Sequence, residues 1–177
     1  MPIYQPARQS IKDLASGILC ATEMHKPLLD ARVKIDFVEA RAVEDPETHK
    51  KLDTPITIRG RKAFGMTRVI GPKDRVMGRG DVEVTLDADY WDDLTEPQQS
   101  ALLDHELTHI SVKLDKRGIV RDDAGRPKIN LRLHDVEVGW FNSVALRHGT
   151  ASQERIQAKA IVDVCGQYYF PQFVAES

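Results

Sequence analysis

The spacing of hydrophobic residues changes several times along the chain, and each change predicts a different element. Apolar residues recur at helical spacing over residues 10–26 and predict a first helix. Strict alternation of apolar and polar residues at 32–38 and 81–86 predicts two half-buried strands. Glycines interrupt the apolar runs at 56–58 and 64–70, which predicts short strands or a hairpin there.

Thr95 marks the start of a second helix. Thr95 and Gln98 have the spacing of a capping box, and Pro97 is tolerated in a first turn, where its missing N–H has no partner to lose. Apolar residues then recur at helical spacing, so the helix is predicted to run past Ile110. Its buried side is expected to consist of Leu103, Leu107, Ile110 and Leu114.

The last third of the chain predicts a hairpin and two more helices. Residues 119–120 and 129–133 flank a polar turn, and residues 134–148 and 153–164 have helical patterns. A chain of 177 residues suits one hydrophobic core. We therefore expect a single α+β domain over residues 1–177, in which a small mixed or antiparallel sheet packs against the second helix and further C-terminal helices.

Charge and composition exclude two classes of protein. The chain has 25 basic and 27 acidic side chains and a formal net charge of −2, which does not fit a strongly basic nucleic-acid coat. We interpret the basic residues within 59–79 as a solvated face and do not favour nucleic acid as a partner. No apolar run approaches the ~18 residues of a membrane span, and the N-terminus does not resemble a signal peptide. With Cys20 and Cys165 far apart, the sequence predicts a cytoplasmic protein without a membrane partner.

Residues 105–109 read His-Glu-Leu-Thr-His and carry the strongest chemical signal in the chain. Side chains four apart on a helix share a face, so His105 and His109 can both reach one metal ion. Glu106 stands beside them, where it can act as a general base toward water. Imidazole is a preferred ligand of Zn²⁺, and the spacing therefore predicts a zinc site.

A catalytic zinc site ordinarily has three protein ligands, so a third must come from elsewhere. The His-x-x-Gly-x-x-His pattern does not follow the motif, which excludes the metzincin arrangement. Downstream, His134 and Glu137 lie three residues apart, so one can bind the metal while the other supports it. We favour His134 as the third ligand and keep Glu137 as the alternative.

Four other side chains are predicted to have no chemical role. Trp91 and Trp140 are expected to pack in the core or in the wall of a cleft. His25 and His49 lie in polar surroundings away from any motif, and we expect both to be solvated.

Residues 81–149 resemble a known family. The run LLDHELTHI, the hairpin-like segment at Gly125-Arg126-Pro127, the sequence HDVE and the helix ending in His148-Gly149 are similar to the putative phage metallopeptidase family. A more distant resemblance is to the SprT/Spartan-like zinc proteases, in which a His-Gly-x-Glu element follows the first motif. Asp135 stands in place of that glycine, and the insertion before it is longer.

The resemblance implies roles for individual residues. His105 and His109 match the two histidine ligands, Glu106 the catalytic glutamate and His134 the third ligand, while Glu137 falls on the glutamate of the SprT pattern. It implies a zincin-like fold, a Zn²⁺ cofactor and hydrolysis of a peptide or protein substrate, in the host cytoplasm if the chain is phage-encoded. The alternative is a catalytically silent zincin fold that binds a host protein or DNA.

Overall fold

The computed structural model describes residues 1–48, 50–51, 54–58, 60–134 and 141–165, the last five of these by their backbone alone. The strands in this part of the chain are β1 (Ile3–Pro6), β2 (Ile35–Arg41), β3 (Thr57–Ile58), β4 (Arg61–Lys62), β5 (Gly65–Val69), β6 (Val82–Asp87), β7 (Ile110–Val112), β8 (Leu114–Asp115), β9 (Gly118–Ile119) and β10 (Ile129–Leu131).

Helices precede, interrupt and follow the main sheet. They are α1 (Gln9–Ala21), α2 (Lys26–Ala31), α3 (Pro72–Val76), α4 (Ala88–Asp92), α5 (Glu96–Thr108), α6 (Asn142–His148) and α7 (Gln153–Cys165), with 3-10 turns at Glu23–His25 and Gly149–Ala151. None of the helices in the described residues is both long enough and apolar enough to cross a membrane.

A mixed sheet in the order β1-β2-β6-β5 supports the rest of the fold. β2 and β6 are parallel, whereas β1 pairs with β2 and β5 with β6 in antiparallel fashion. Every residue of β6 is buried, which fits its central place beside β2 and β5. The sheet is small and mixed, and the prediction of an α+β fold is confirmed.

The core lies between this sheet and the helices. Val82, Val84 and Leu86 alternate along β6 and belong to the same hydrophobic cluster as Leu103 and Leu107 of α5. The cluster also includes Ile11, Ala15 and Ile18 of α1 and Trp91, which is buried as expected. Because α5 also packs against β5, the last turns of that helix lie beside the edge of the sheet.

The start of α5 is as predicted, but its end is not. The Thr95 amide donates to Gln98 Oε1 over 2.9 Å, and the capping box is complete. The helix stops at Thr108 instead of running past Ile110, because Ile110–Val112 becomes β7 and pairs with β10. Leu103, Leu107 and Ile110 are buried, whereas Leu114 lies exposed in β8, so its assignment to the core was wrong.

The hairpin predicted over residues 119–133 forms its turn, but its two strands do not pair with each other. The polar turn forms, since the amide of Asp122 donates to the Arg126 carbonyl over 2.8 Å. However, β9 pairs with β8 and β10 with β7, because both strands find closer partners on the chain that leaves α5. The helix predicted at 134–148 begins at Asn142, after residues 135–140 that lie outside the described residues.

Candidate metal centre

Three imidazoles converge beside the sheet edge. One ligating nitrogen from each of His105, His109 and His134 lies within 4.8 Å of the other two. The Nε2 atoms of His105 and His134 are 3.2 Å apart. The structure thus brings together the three histidines that the sequence singled out. The alternative residue Glu137 falls outside the described residues.

His109 keeps its place relative to His105 although the helix has ended. Its backbone retains right-handed helical angles, with φ −66° and ψ −23°, so the two rings still lie one turn apart. Its Nδ1 lies 2.8 Å from the carbonyl oxygen of Arg132. Because a carbonyl oxygen only accepts, Nδ1 carries the proton of the neutral ring and donates it. The remaining nitrogen, Nε2, is therefore the one that His109 can offer to a metal.

His105 is held by a carboxylate that the sequence did not indicate. Its Nδ1 lies 2.7 Å from Oε1 of Glu154, which is buried in the first turn of α7. A carboxylate in this position fixes the tautomer and orientation of a metal-binding histidine. Glu154 follows the motif by 49 residues and has no characteristic spacing from it, so only the packing of α7 on α5 could reveal this contact.

The three rings share a buried aromatic support. The ring centroid of Phe141 lies 4.9, 4.7 and 5.0 Å from those of His105, His109 and His134. Phe141 is fully buried, whereas the three imidazoles line an open cavity, so its ring stands behind them. Such packing restricts the rings to a few orientations.

Glu106 lies deep in the same site. Its side chain is buried, and Oε2 accepts a hydrogen bond of 2.7 Å from the Thr67 hydroxyl on β5. Burial raises the pKa of the Glu106 carboxyl above its usual value, although the charge of His105 and the hydrogen bond from Thr67 act in the opposite direction. A raised pKa makes a carboxylate a stronger base.

The two histidines of the motif differ in their affinity for protons. Burial lowers the pKa of His109 to about 4, which keeps it neutral and ready to bind a metal. Burial acts to lower the pKa of His105 as well, but the hydrogen bond to Glu154 and the charges of the neighbouring carboxylates together outweigh burial and raise the pKa of that ring. A metal ion would therefore compete with a proton at His105.

Asp104, the residue before the motif, is the centre of a buried polar cluster. Its carboxylate lies 2.7 Å from Nε2 of both His25 and His148 and accepts a hydrogen bond of 2.9 Å from Arg147 Nε. The prediction that His25 is solvated was wrong, because the ring is buried against this carboxylate. His49, predicted to be solvated as well, lies outside the described residues, as does Trp140.

A cavity of about 500 Å³ opens over the three histidines. Apolar side chains supply much of its wall, including Ile58, Phe64, Leu131 and Leu133. A larger cavity of about 1020 Å³ lies along β1, β2 and β6, where the acidic groups pair with Arg68 and Arg79. The smaller cavity is the one lined by Glu106 and the three histidines.

The three histidines offer a donor set suited to a metal ion such as zinc. Zinc–nitrogen bonds of about 2.0–2.1 Å at tetrahedral angles place two ligating nitrogens about 3.3 Å apart. The observed 3.2 Å between His105 and His134 agrees with that geometry. The Nδ1 contacts of His105 and His109 turn their Nε2 atoms to the common centre.

An α+β fold with three converging histidines and a buried glutamate defines a protein able to hold a metal ion at a reactive centre. The family model described as putative phage metallopeptidase matches residues 11–163. The chain therefore belongs to the putative phage metallopeptidase family, and the match extends well beyond residues 81–149. Searches of curated proteins and of solved structures gave no match.

Proposed function

We propose that this chain is a zinc-dependent peptidase with His105, His109 and His134 as metal ligands and Glu106 as general base. The observation that carries the proposal is the convergence of three imidazoles beside a buried glutamate. Family membership supports a peptidase that uses a metal. The donor set of three imidazoles favours zinc over the harder cations, which prefer oxygen ligands.

The proposed reaction is hydrolysis of a peptide bond. Zinc held by His105, His109 and His134 would supply Lewis acidity toward the scissile carbonyl and would lower the pKa of water toward ~7. Glu106 takes a proton from the attacking water and passes it to the departing amine. Glu154 keeps the His105 ring in place through the hydrogen bond to Nδ1, so that the ring faces the centre throughout. The cavity above the histidines receives the peptide.

Metal content and cleavage measured on the same variants test the proposal. Wild-type protein should bind about one zinc per chain and cleave peptides in a chelator-sensitive reaction. Glu106→Gln should keep zinc and lose cleavage by at least about 100-fold, the contribution of a general base. His105→Ala should lose both. Glu96→Gln is the matched control, since Glu96 is an exposed glutamate on the same helix.

The third ligand needs its own pair of variants. His134→Ala should empty the site, whereas Glu137→Ala should leave zinc content unchanged. If the glutamate variant alone loses zinc, Glu137 is the ligand and His134 is not.

The alternative function, a catalytically silent fold that binds a host protein or DNA, predicts a different result. Zinc would then be bound with no chelator-sensitive cleavage of any peptide in a broad panel, and Glu106→Gln would change nothing. That outcome would overturn the peptidase and leave the metal centre intact.

A further inference from the structure

Strand β5 contacts Glu106 through two residues that share one face. Gly65 and Thr67 are two apart, so both project from β5 to the same side. The antiparallel register with buried β6, in which Gly65 lies opposite Leu86 and Thr67 opposite Val84, fixes their positions. The side they share faces α5, because both residues contact Glu106.

Gly65 leaves room that Glu106 occupies. A Cβ atom added at Gly65 would lie 2.5 Å from Oε1, 2.7 Å from Cδ and 2.9 Å from Cγ of Glu106. Non-bonded carbon and oxygen atoms do not approach so closely, so any side chain at this position would displace the glutamate. The backbone of Gly65 lies outside the left-handed region, so the Glu106 side chain alone opposes an alanine at this position.

Thr67 holds the other oxygen of the same carboxylate. Its Oγ1 lies 2.7 Å from Oε2 and 3.1 Å from the backbone carbonyl of Glu106. The hydroxyl has a single proton, which serves the shorter contact to the charged oxygen. With Oε2 bound in this way, the lone pairs of Oε1 remain able to accept a proton.

We propose that Gly65 and Thr67 are positioning residues, and that β5 presents Glu106 to the reaction by contacting both carboxylate oxygens. This inference rests on the proposed function, because it assigns β5 a role in the action of Glu106. The two residues contribute differently: Gly65 by the absence of a side chain and Thr67 by a directed hydrogen bond. Neither is expected to take part in binding the metal.

Three variants separate these contributions. Thr67→Val removes the hydroxyl at nearly constant shape and should lower kcat about tenfold, the effect of one hydrogen bond to a charged group, with KM and zinc content unchanged. Thr67→Ser keeps the hydroxyl and should restore kcat to within about twofold of wild type. Gly65→Ala should displace the whole carboxylate and approach the loss seen in Glu106→Gln.

Gly17→Ala is the matched control for the glycine change. Gly17 lies in α1 with no heavy atom within 4 Å of an added Cβ, so this variant should retain wild-type kcat. In the Glu106→Gln background, Thr67→Val should cause no further loss, because the residue through which it acts is already disabled. Equal kcat in Thr67→Val and wild type, or an additive loss in the double variant, would overturn the role of Thr67.

A crystal structure of zinc-loaded Gly65→Ala gives a readout that does not depend on turnover. We expect the fold and the three imidazoles to be unchanged and the Glu106 carboxylate to have moved away from β5. A carboxylate in its original place would overturn the inference. If the wild-type chain cleaves no peptide, the proposed function fails, yet this structure still decides whether Gly65 positions Glu106.

Discussion

His105 has two ring nitrogens with different partners. Nε2 points to His134 and the common centre, whereas Nδ1 lies 2.7 Å from Glu154. Burial would raise the pKa of the Glu154 carboxyl, but the hydrogen bond with His105, the charge of that ring and backbone hydrogen bonds together outweigh burial and lower the pKa. The carboxylate therefore stays charged and holds the imidazole in the tautomer that a metal needs.

This contact predicts a loss of metal affinity when the carboxylate is neutralised. Glu154→Gln should weaken zinc binding about 10- to 100-fold, because the ring loses a charged acceptor that fixes its orientation. A competition titration with a chromophoric chelator measures the change. Lys159→Ala is the control, since Lys159 is an exposed residue further along α7 and does not line the cavity. Unaltered affinity in Glu154→Gln would contradict the role of Glu154.

At the scale of elements, Asp104 joins three segments that are distant in sequence. His25 belongs to the 3-10 turn after α1, Asp104 to α5, and Arg147 and His148 to the end of α6. Burial would raise the pKa of the Asp104 carboxyl, but hydrogen bonds from His148, His25 and Arg147 hold it well below its usual range. The cluster fixes α5, and with it the two histidines of the motif, relative to both neighbours.

Acid should reduce the stability that the Asp104 cluster gives to the fold. Because the folded-state pKa of Asp104 lies below the unfolded value of about 3.9, its contribution to stability is complete above about pH 5 and is lost as the pH falls below about 4. Asp104→Asn should lower the free energy of unfolding at pH 7 by about 3 kcal/mol, as expected when one partner of a buried charged cluster is removed.

Urea unfolding of metal-free protein at pH 7 and at intervals down to pH 3 measures both effects. The Asp104→Asn protein should lose less stability on acidification than wild type. Asp93→Asn, at an exposed carboxylate just before α5, should follow the wild-type curve. An Asp104→Asn curve parallel to wild type would show that Asp104 does not account for the acid sensitivity.

For the molecule as a whole, the core and the metal centre are separate sources of stability. The hydrophobic cluster is built on β6, α1 and α5 from residues such as Val84, Ile11 and Leu103, and the three histidines lie at its edge. Zinc should therefore add to the stability of an already folded chain.

Removal of the metal tests this separation. Chelation should lower the Tm by about 5–10 °C, as expected for a ligand present at about 100 times its Kd and a domain of this size. The far-UV circular dichroism at 25 °C should not change. Unfolding on chelation would contradict the prediction and assign the metal a structural role, as in small zinc-dependent folds.

Local signals in the sequence determined much of the fold and the pair of histidines that α5 contributes to the metal centre. The capping box at Thr95, the alternation along β6 and the spacing of His105 and His109 depend only on residues a few positions apart, so they can be read directly. The end of α5 was misplaced because the pairing of β7 with β10, which local propensity does not reveal, replaced its last turn.

Only the tertiary structure decided which distant side chains contact the start of the motif and the residue before it. Glu154 reaches His105 from α7, Thr67 and Gly65 reach Glu106 from β5, and His25 reaches Asp104 from the turn after α1. None of these residues has a fixed spacing from the motif, because packing of distant elements sets each contact. The sequence by itself determined which residues can perform the chemistry, and the packing of sheet and helices decided how they are held.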